Sequence, residues 1–308
     1  MAIVPRENLP GIFLIRAPSR NPGARSRDPR EIDKVTDVIR SPRNAKAQLV
    51  MKLRTARGRR KENRFLLEGR KACTELLLSG VEPTFFLYEE GGVRAELAPL
   101  IEDLRVRGIP RYPVDRRLWR HITTTETPQG ILAVVPRPAV QTRAVLEKAK
   151  AEMERGAPGH VVVFARLQDP GNLGSIIRTA QAFGFSGGIM TRGTVDPYGP
   201  KVVRSSATAL LGFPLASTDT LGRLIPILKE RGFCVLMAAA RKGNPLAEVD
   251  AGPGKAIVVG NEGGGIPESD LSLADQVVRI PMPGPAESLN AGVAFGIIAY
   301  AIVMAQKG

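Results

Sequence analysis

From residue 160 onward the chain alternates short, wholly apolar runs with glycine-rich turns and longer mixed segments. The runs at 161–164, 188–190, 235–239, 256–259 and 276–280 are too short and too uniformly apolar for amphipathic helices. They predict strands buried on both faces, as in a parallel sheet, with ligand sites at the strand carboxyl ends. The last apolar run, 291–305, is rich in Gly and Ala and falls short of a membrane span, so it reads as a buried core helix. Upstream the pattern is amphipathic. Ser41-Pro42-Arg43-Asn44 predicts a helix start, and Leu49, Val50 and Leu53 recur at helical spacing on a segment otherwise rich in Lys and Arg. Strands at 65–69, 84–88, 109–112 and 130–135 and a helix at 71–78 complete a small α/β unit over 41–136. Pro136-Arg137-Pro138 breaks that pattern, and a polar helix at 142–155 followed by Gly156-Ala157-Pro158-Gly159 predicts an interdomain linker plus entry helix over 137–159, leading to a second α/β domain over 160–308.

Charge sharpens this division. The chain of 308 residues carries a net charge of +14, and the 41–72 segment alone contributes eleven Lys/Arg against two Glu. Charge concentrated in about a tenth of the chain is the footprint of a nucleic-acid contact rather than of a uniformly basic surface. Arg43, Lys46, Lys52, Arg57, Arg59, Arg60 and Lys61 are the candidate contacts to RNA or DNA. Residues 1–40 add a further basic, Arg/Pro-rich stretch that reads as a disordered leader. Two dispersed cysteines, Cys73 and Cys234, and two dispersed histidines, His121 and His160, predict no disulfide framework, no metal site and no Ser-His-Asp triad. A reducing, cytoplasmic compartment and no membrane association are expected.

Three segments carry candidate chemistry. The first, Gln168-Asp169-Pro170-Gly171-Asn172-Leu173-Gly174-Ser175, is read as a turn opening a helix at 176–183, with Arg178 one turn in. It presents backbone N–H groups, an amide and a fixed cation suited to a phosphate. The second, Gly260-Asn261-Glu262-Gly263-Gly264-Gly265-Ile266, ends an apolar strand in a loop through which backbone can approach a ligand, with one carboxylate among the glycines. In the third, Ile280-Pro281-Met282 to Ser288-Leu289-Asn290, two polar residues flank a helix start where one cap is needed. Neither G-x-G-x-x-G nor G-x-x-x-x-G-K-[ST] occurs, which counts against a dinucleotide-dependent oxidoreductase and a P-loop enzyme.

In order, spacing and identity these segments resemble the three motifs of the SpoU/TrmH family of the SPOUT superfamily, and 196–206, Asp-Pro-Tyr-Gly-Pro-Lys-Val-Val-Arg-Ser-Ser, is similar to the family's connecting segment. The resemblance implies an α/β fold with a C-terminal trefoil-knotted parallel-sheet domain that binds S-adenosylmethionine, pairs as a homodimer and methylates a ribose 2′-hydroxyl of RNA. Carried over, Asn172, Arg178, Glu262, Ser288 and Asn290 are the catalytic set, and Ala238, Gly260, Ile280, Met282, Ser288 and Leu289 contact the cofactor. Residues 41–136 are similar to the ribosomal-protein-like RNA-binding module of ribosomal-RNA members, through Phe65-Leu66-Leu67-Glu68-Gly69 and Thr125-Glu126-Thr127-Pro128-Gln129-Gly130-Ile131. This favours ribosomal RNA of the 23S type over transfer RNA. A non-catalytic RNA-binding or ribosome-assembly factor is the rival, and the intact motif residues count against it.

Overall fold

The computed structural model of the chain describes residues 37–91, 96–239, 242–249 and 252–306. Most of the expected leader, residues 1–36, lies outside the described residues. The chain divides into two compact units, one formed by residues up to Lys52 together with Leu66–Pro136, the other by Leu53–Phe65 together with Arg137–Gly308.

The first half runs α1 (Ala45–Leu53), α2 (Ala56–Glu62), β1 (Arg64–Glu68), α3 (Arg70–Leu78), β2 (Phe85–Glu89), α4 (Ala98–Val106), β3 (Arg111–Val114), α5 (Arg116–Ile122) and β4 (Ile131–Pro136). The first unit is built on a four-stranded sheet of order β1-β4-β2-β3, in which β2 is antiparallel to β4 and parallel to β3. The single basic helix expected from Ser41 is two helices. Thr55 takes an extended conformation and its hydroxyl accepts from Gly58 N, so it caps a new helix where the first has ended. Two helices, α4 and α5, were not predicted. Asp115 caps α5, its carboxylate accepting from Arg117 N and Leu118 N, and an Asp ahead of Arg-Arg-Leu-Trp was the readable signal for it.

The chain continues with α6 (Thr142–Glu154), β5 (Val161–Phe164), α7 (Pro170–Ala182), β6 (Gly187–Thr191), α8 (Pro200–Ser205), β7 (Leu215–Thr218), α9 (Leu221–Glu230), β8 (Cys234–Ala238), β9 (Asn244–Pro245), β10 (Lys255–Val259), α10 (Glu268–Leu271), β11 (Gln276–Arg279) and α11 (Ala291–Ala305). Its sheet has the order β7-β6-β5-β10-β8-β11-β9, and every neighbouring pair is parallel. All strand carboxyl ends therefore face one edge. Alternate residues of the strands, Val161, Val163, Val235, Met237, Ala256 and Val258, pack with Val145, Leu146 and Ala149 of α6 and Leu224, Ile225 and Leu228 of α9. Burial of both sheet faces explains why these strands read as continuous apolar runs.

The expected entry helix is α6, which contributes three core side chains to the second unit. The first motif is helical from Pro170 onward, since Pro is tolerated at the first helical position and the Asp169 carboxylate accepts from Asn172 N as the cap. Arg178 consequently lies about two turns into α7, at 3.6 residues per turn, instead of one. Both β7 and α9 escaped the sequence reading; β7 has only four residues, and α9 contains Gly222 and an internal Pro226.

Leu53–Phe65 belongs to the second unit rather than to one span over 41–136. Arg59, read from sequence as an RNA contact, has a side chain only 6% exposed and serves as a structural cation. Its Nε donates to Asp196 Oδ2 at 2.8 Å, and a second guanidinium nitrogen donates to Leu53 O and Arg54 O at 2.9 and 3.0 Å. Buried, and with Nε and one terminal nitrogen bonded inside the protein, Arg59 does not offer its charge at the surface. Arg59→Ala should strand the Asp196 carboxylate, which is 13% exposed, and lower the unfolding free energy by about 3–5 kcal/mol in a denaturant titration. Exposed Arg60→Ala should change it by less than about 0.5 kcal/mol.

Candidate active site

The loops that follow β5, β8, β10 and β11 meet at the carboxyl edge of the large sheet around a cleft of about 600 Å³. Ala238, Gly260, Ile280, Met282, Ser288 and Leu289, the six residues expected to contact the cofactor, all line it. Asn172, Glu262 and Asn290 line it as well. The loop after β10 turns back on itself, with Asn261 and Gly265 exchanging backbone hydrogen bonds. The Asn261 side chain braces this turn, its Oδ1 accepting from Gly263 N and Gly264 N and its Nδ2 donating to Arg166 O. Gly260 is required by close approach, since a Cβ there would lie 2.7 Å from both Gly265 C and Ile266 Cγ1.

One continuous set of hydrogen bonds joins the three motifs. Glu262 accepts from Gln168 N at 3.3 Å, Asp169 N at 3.1 Å and Asn172 Nδ2 at 3.0 Å. Asn172 Oδ1 in turn accepts from Asn290 Nδ2 at 2.7 Å, and Asn290 Oδ1 accepts from Gly292 N and Val293 N as the cap of α11. The sequence left one of Ser288 and Asn290 without a capping role. Asn290 is the cap, while the exposed Ser288 hydroxyl has no hydrogen-bond partner among the described residues. A second tie lies where α11 crosses α7: a Cβ at Gly292 would come within 2.5 Å of Ser175 Oγ, so glycine there lets the helices touch.

Burial raises the Glu262 pKa, but hydrogen bonds from Asn172, its own backbone N–H and those of Gln168 and Asp169 outweigh it and hold the carboxyl below its ordinary value. Among the described residues it is the only ionisable side chain lining the cleft. A carboxylate saturated with donors and depressed in pKa is a poor proton acceptor, and its hydrogen bonds tie the loop after β10 to the start of α7. Arg178 is the one residue of the expected catalytic set that does not line the cleft; it is exposed, and its guanidinium has no partner among the described residues. Of the basic candidates, Arg43, Lys52, Arg57, Arg60 and Lys61 are exposed, and Lys46 Nζ sits 4.0 Å from the Tyr112 ring centroid. Among the described residues no cluster of His, Cys, Asp and Glu could hold a metal, and no helix is long and apolar enough to cross a membrane.

A parallel sheet whose strand ends supply a glycine-lined cleft, closed by a helix capped from the same network, defines an α/β enzyme that binds a nucleotide-like cofactor. Comparisons with known proteins specify it further. Residues 159–300 match the family model described as SpoU rRNA Methylase family, and residues 44–133 match the MRM3-like substrate binding domain. The chain is 32% identical, over 85% of its length and 97% of the relative's, to the 23S rRNA (guanosine(2553)-2'-O)-methyltransferase RlmP of Bacillus subtilis. The structure of the SpoU methyltransferase AviRb from Streptomyces viridochromogenes in complex with the cofactor AdoMet superposes with a TM-score of 0.71 at 27% identity, covering 86% of this chain and 99% of that one. An RNA 2'-O ribose methyltransferase superposes with a TM-score of 0.70 at 26% identity, covering 88% and 99%.

The chain belongs to the SpoU rRNA methylase family and is an RNA ribose 2′-O-methyltransferase that uses S-adenosylmethionine. Its cleft fits that cofactor: apolar Ile266, Val278, Ile280, Phe295 and Ile298 offer walls for a planar base, and the loops at Gly260–Gly264 supply backbone polar groups.

The depressed Glu262 pKa has a testable sign. A folded-state pKa below the unfolded value contributes stability that is present above the ordinary carboxylate range and is lost as pH falls through the folded value. The stability gap between wild type and Glu262→Gln, followed by urea titration, should be constant above about pH 6 and close as pH falls below about 4. A gap independent of pH would mean that the Glu262 charge does not hold these loops.

Proposed function

We propose that the chain methylates a ribose 2′-hydroxyl in 23S-type large-subunit ribosomal RNA in the cytoplasm, with the unit around 44–133 holding the RNA and the SpoU domain carrying the reaction. The observation that carries the reading is the Glu262–Asn172–Asn290 network, which draws three motif loops around one cleft. The choice of ribosomal RNA rests on the B. subtilis relative, whose likeness extends through both domains, and on the exposed basic residues near the start of the N-terminal domain. A trefoil knot in the C-terminal domain belongs to the same reading and agrees with the placement of β10 between β5 and β8.

When bound, the cofactor supplies an electrophilic methyl group on a sulfonium, and the transfer is an in-line displacement. The protein's task is to bind, align and exclude water. Ala238, Gly260, Ile280, Met282, Ser288 and Leu289 hold the cofactor, and the unpartnered Ser288 hydroxyl is free to bridge to the substrate. Asn172, Glu262 and Asn290 act as positioning residues, since their polar atoms are committed to one another and to backbone. Arg178 clamps an RNA phosphate beside the target ribose, and its guanidinium cation stabilises the developing alkoxide. Among the described residues the one ionisable side chain lining the cleft is the committed Glu262, so a substrate phosphate takes the proton.

Homodimerisation fits the surface of α11. Val293, Ile297, Tyr300 and Met304 recur at helical spacing and are exposed, Tyr300 by 56% and Val293 by 52%, leaving an apolar stripe that a second copy would cover. Ile297→Glu should convert the protein from dimer to monomer in light scattering while leaving its circular dichroism unchanged. A wild type that scatters as a monomer would overturn the dimer.

Transfer of labelled methyl from S-adenosylmethionine to undermodified ribosomal RNA, mapped by nuclease digestion, tests the function. The expected result is a 2′-O-methylated ribosomal nucleotide, whereas label in transfer RNA alone would overturn the substrate. Arg178→Lys should lower turnover tenfold or more, because a lysine lacks the planar fork; near-full turnover would remove the clamp from the mechanism.

A further inference from the structure

A second concavity, about 700 Å³, opens at the carboxyl ends of β6 and β7, within the same unit and on the same edge of the sheet as the cofactor cleft. Three arginines from separate segments line it: Arg60 in α2, Arg137 just after β4 and Arg192 just after β6. None of them has an acidic partner among the described residues. Arg137 instead lies over the Tyr198 ring, 4.7 Å from its centroid, which orients the guanidinium without neutralising it. The two carboxylates of the concavity are already committed, Asp196 to Arg59 and Asp219 to Arg223. Three positive charges are thus left uncompensated on one concave wall, an arrangement that concentrates anions.

Its connection to the cofactor cleft is covalent and hydrogen-bonded. Val195 N donates to Leu167 O, joining the loop after β6 to the loop after β5, and that second loop is the one Glu262 holds through Gln168 N and Asp169 N. Arg192 N donates to Asp219 O and ties in the loop after β7. At the usual strand spacing of about 4.8 Å, the two or three strand positions between β6 and the β10–β8 pair correspond to roughly 10–14 Å, the reach of a few nucleotides.

Resting on the RNA methyltransferase reading, we infer that this concavity is a phosphodiester subsite for the RNA strand flanking the methylated nucleotide. Arg60, Arg137 and Arg192 take backbone phosphates there. Phosphate contacts fix register and orientation without reading bases, so the subsite sets which ribose along the strand reaches the cofactor. The buried Arg59–Asp196 pair gives it a rigid base by holding the α2 segment to the loop that carries Tyr198.

The test uses the full chain and an undermodified ribosomal RNA transcript. Arg60→Ala/Arg192→Ala should weaken RNA binding about tenfold and make the plot of log K against log salt shallower by about 1.4, at about 0.7 per lost phosphate contact on a single strand. Affinity for S-adenosylmethionine, measured by calorimetry, should not change. Exposed Arg155 follows the last residue of α6, about 20 Å from the Gln141 end at 1.5 Å per residue, and Arg155→Ala removes the same charge as Arg192→Ala far from the concavity. An equal loss from Arg155→Ala and Arg192→Ala would reduce the effect to overall charge and overturn the subsite. Wild-type RNA binding that the double variant leaves intact would overturn the subsite alone. A wild type that binds S-adenosylmethionine but no RNA would overturn the substrate reading along with it.

Discussion

Glu262 has more hydrogen-bond donors aimed at it than any neutral side chain at that position could use, and the site depends on that concentration of acceptor capacity. Backbone N–H groups ahead of α7 would otherwise point at a loop with nothing to receive them. The Glu262 carboxylate takes two of them together with the Asn172 amide, which orients Asn172 so that its oxygen faces Asn290. Asn290 then has its own oxygen free to cap α11. Motifs separated by roughly ninety and thirty residues are joined through a few side-chain atoms, and the cleft is the space they enclose. Because a half-satisfied polar network costs more than none, each member's geometry depends on the others.

This division of labour separates holding from chemistry. The residues at the centre of the motifs organise the cleft, while the groups left with uncommitted donors, Ser288 at its rim and Arg178 outside it, are those available to substrate. Uncommitted arginines also mark the second concavity, where Arg60, Arg137 and Arg192 remain unpaired while Arg59 beside them is sealed into an internal ion pair. Within one basic run, neighbouring residues therefore do opposite work. An internal guanidinium satisfied by a carboxylate and two carbonyls ties the scaffold together, and an exposed one is left with an uncompensated charge.

The amino-acid sequence by itself determined the class of the fold and the composition of the site. Apolar runs of four or five residues specify strands buried on both faces, as in β5, β8 and β10, and β5, β8, β10, α11 and the more exposed β11 fall within a residue or so of where the pattern put them. The motif residues were equally legible, because Asn, Glu and Ser amid glycines have no packing role to explain them. Local signals that compete were misread. Pro170 and Gly171 look like a turn but open α7 once Asp169 caps it, Thr55 divides an amphipathic run whose periodicity alone looked continuous, and Pro226 hid α9.

Tertiary structure alone decided which polar groups are spent and which are free. Charge and spacing are equal for Arg59 and Arg60, yet only packing places Asp196, 137 residues away, against the first of them. It likewise places the Asn172 amide on Glu262, puts the Asn290 amide on Asn172, and leaves Arg178 outside the cleft that its motif helps to build. The physical reason is that periodicity and propensity are set by near neighbours in the chain, whereas satisfaction of a hydrogen bond or a charge is set by whatever the fold brings within about 3 Å.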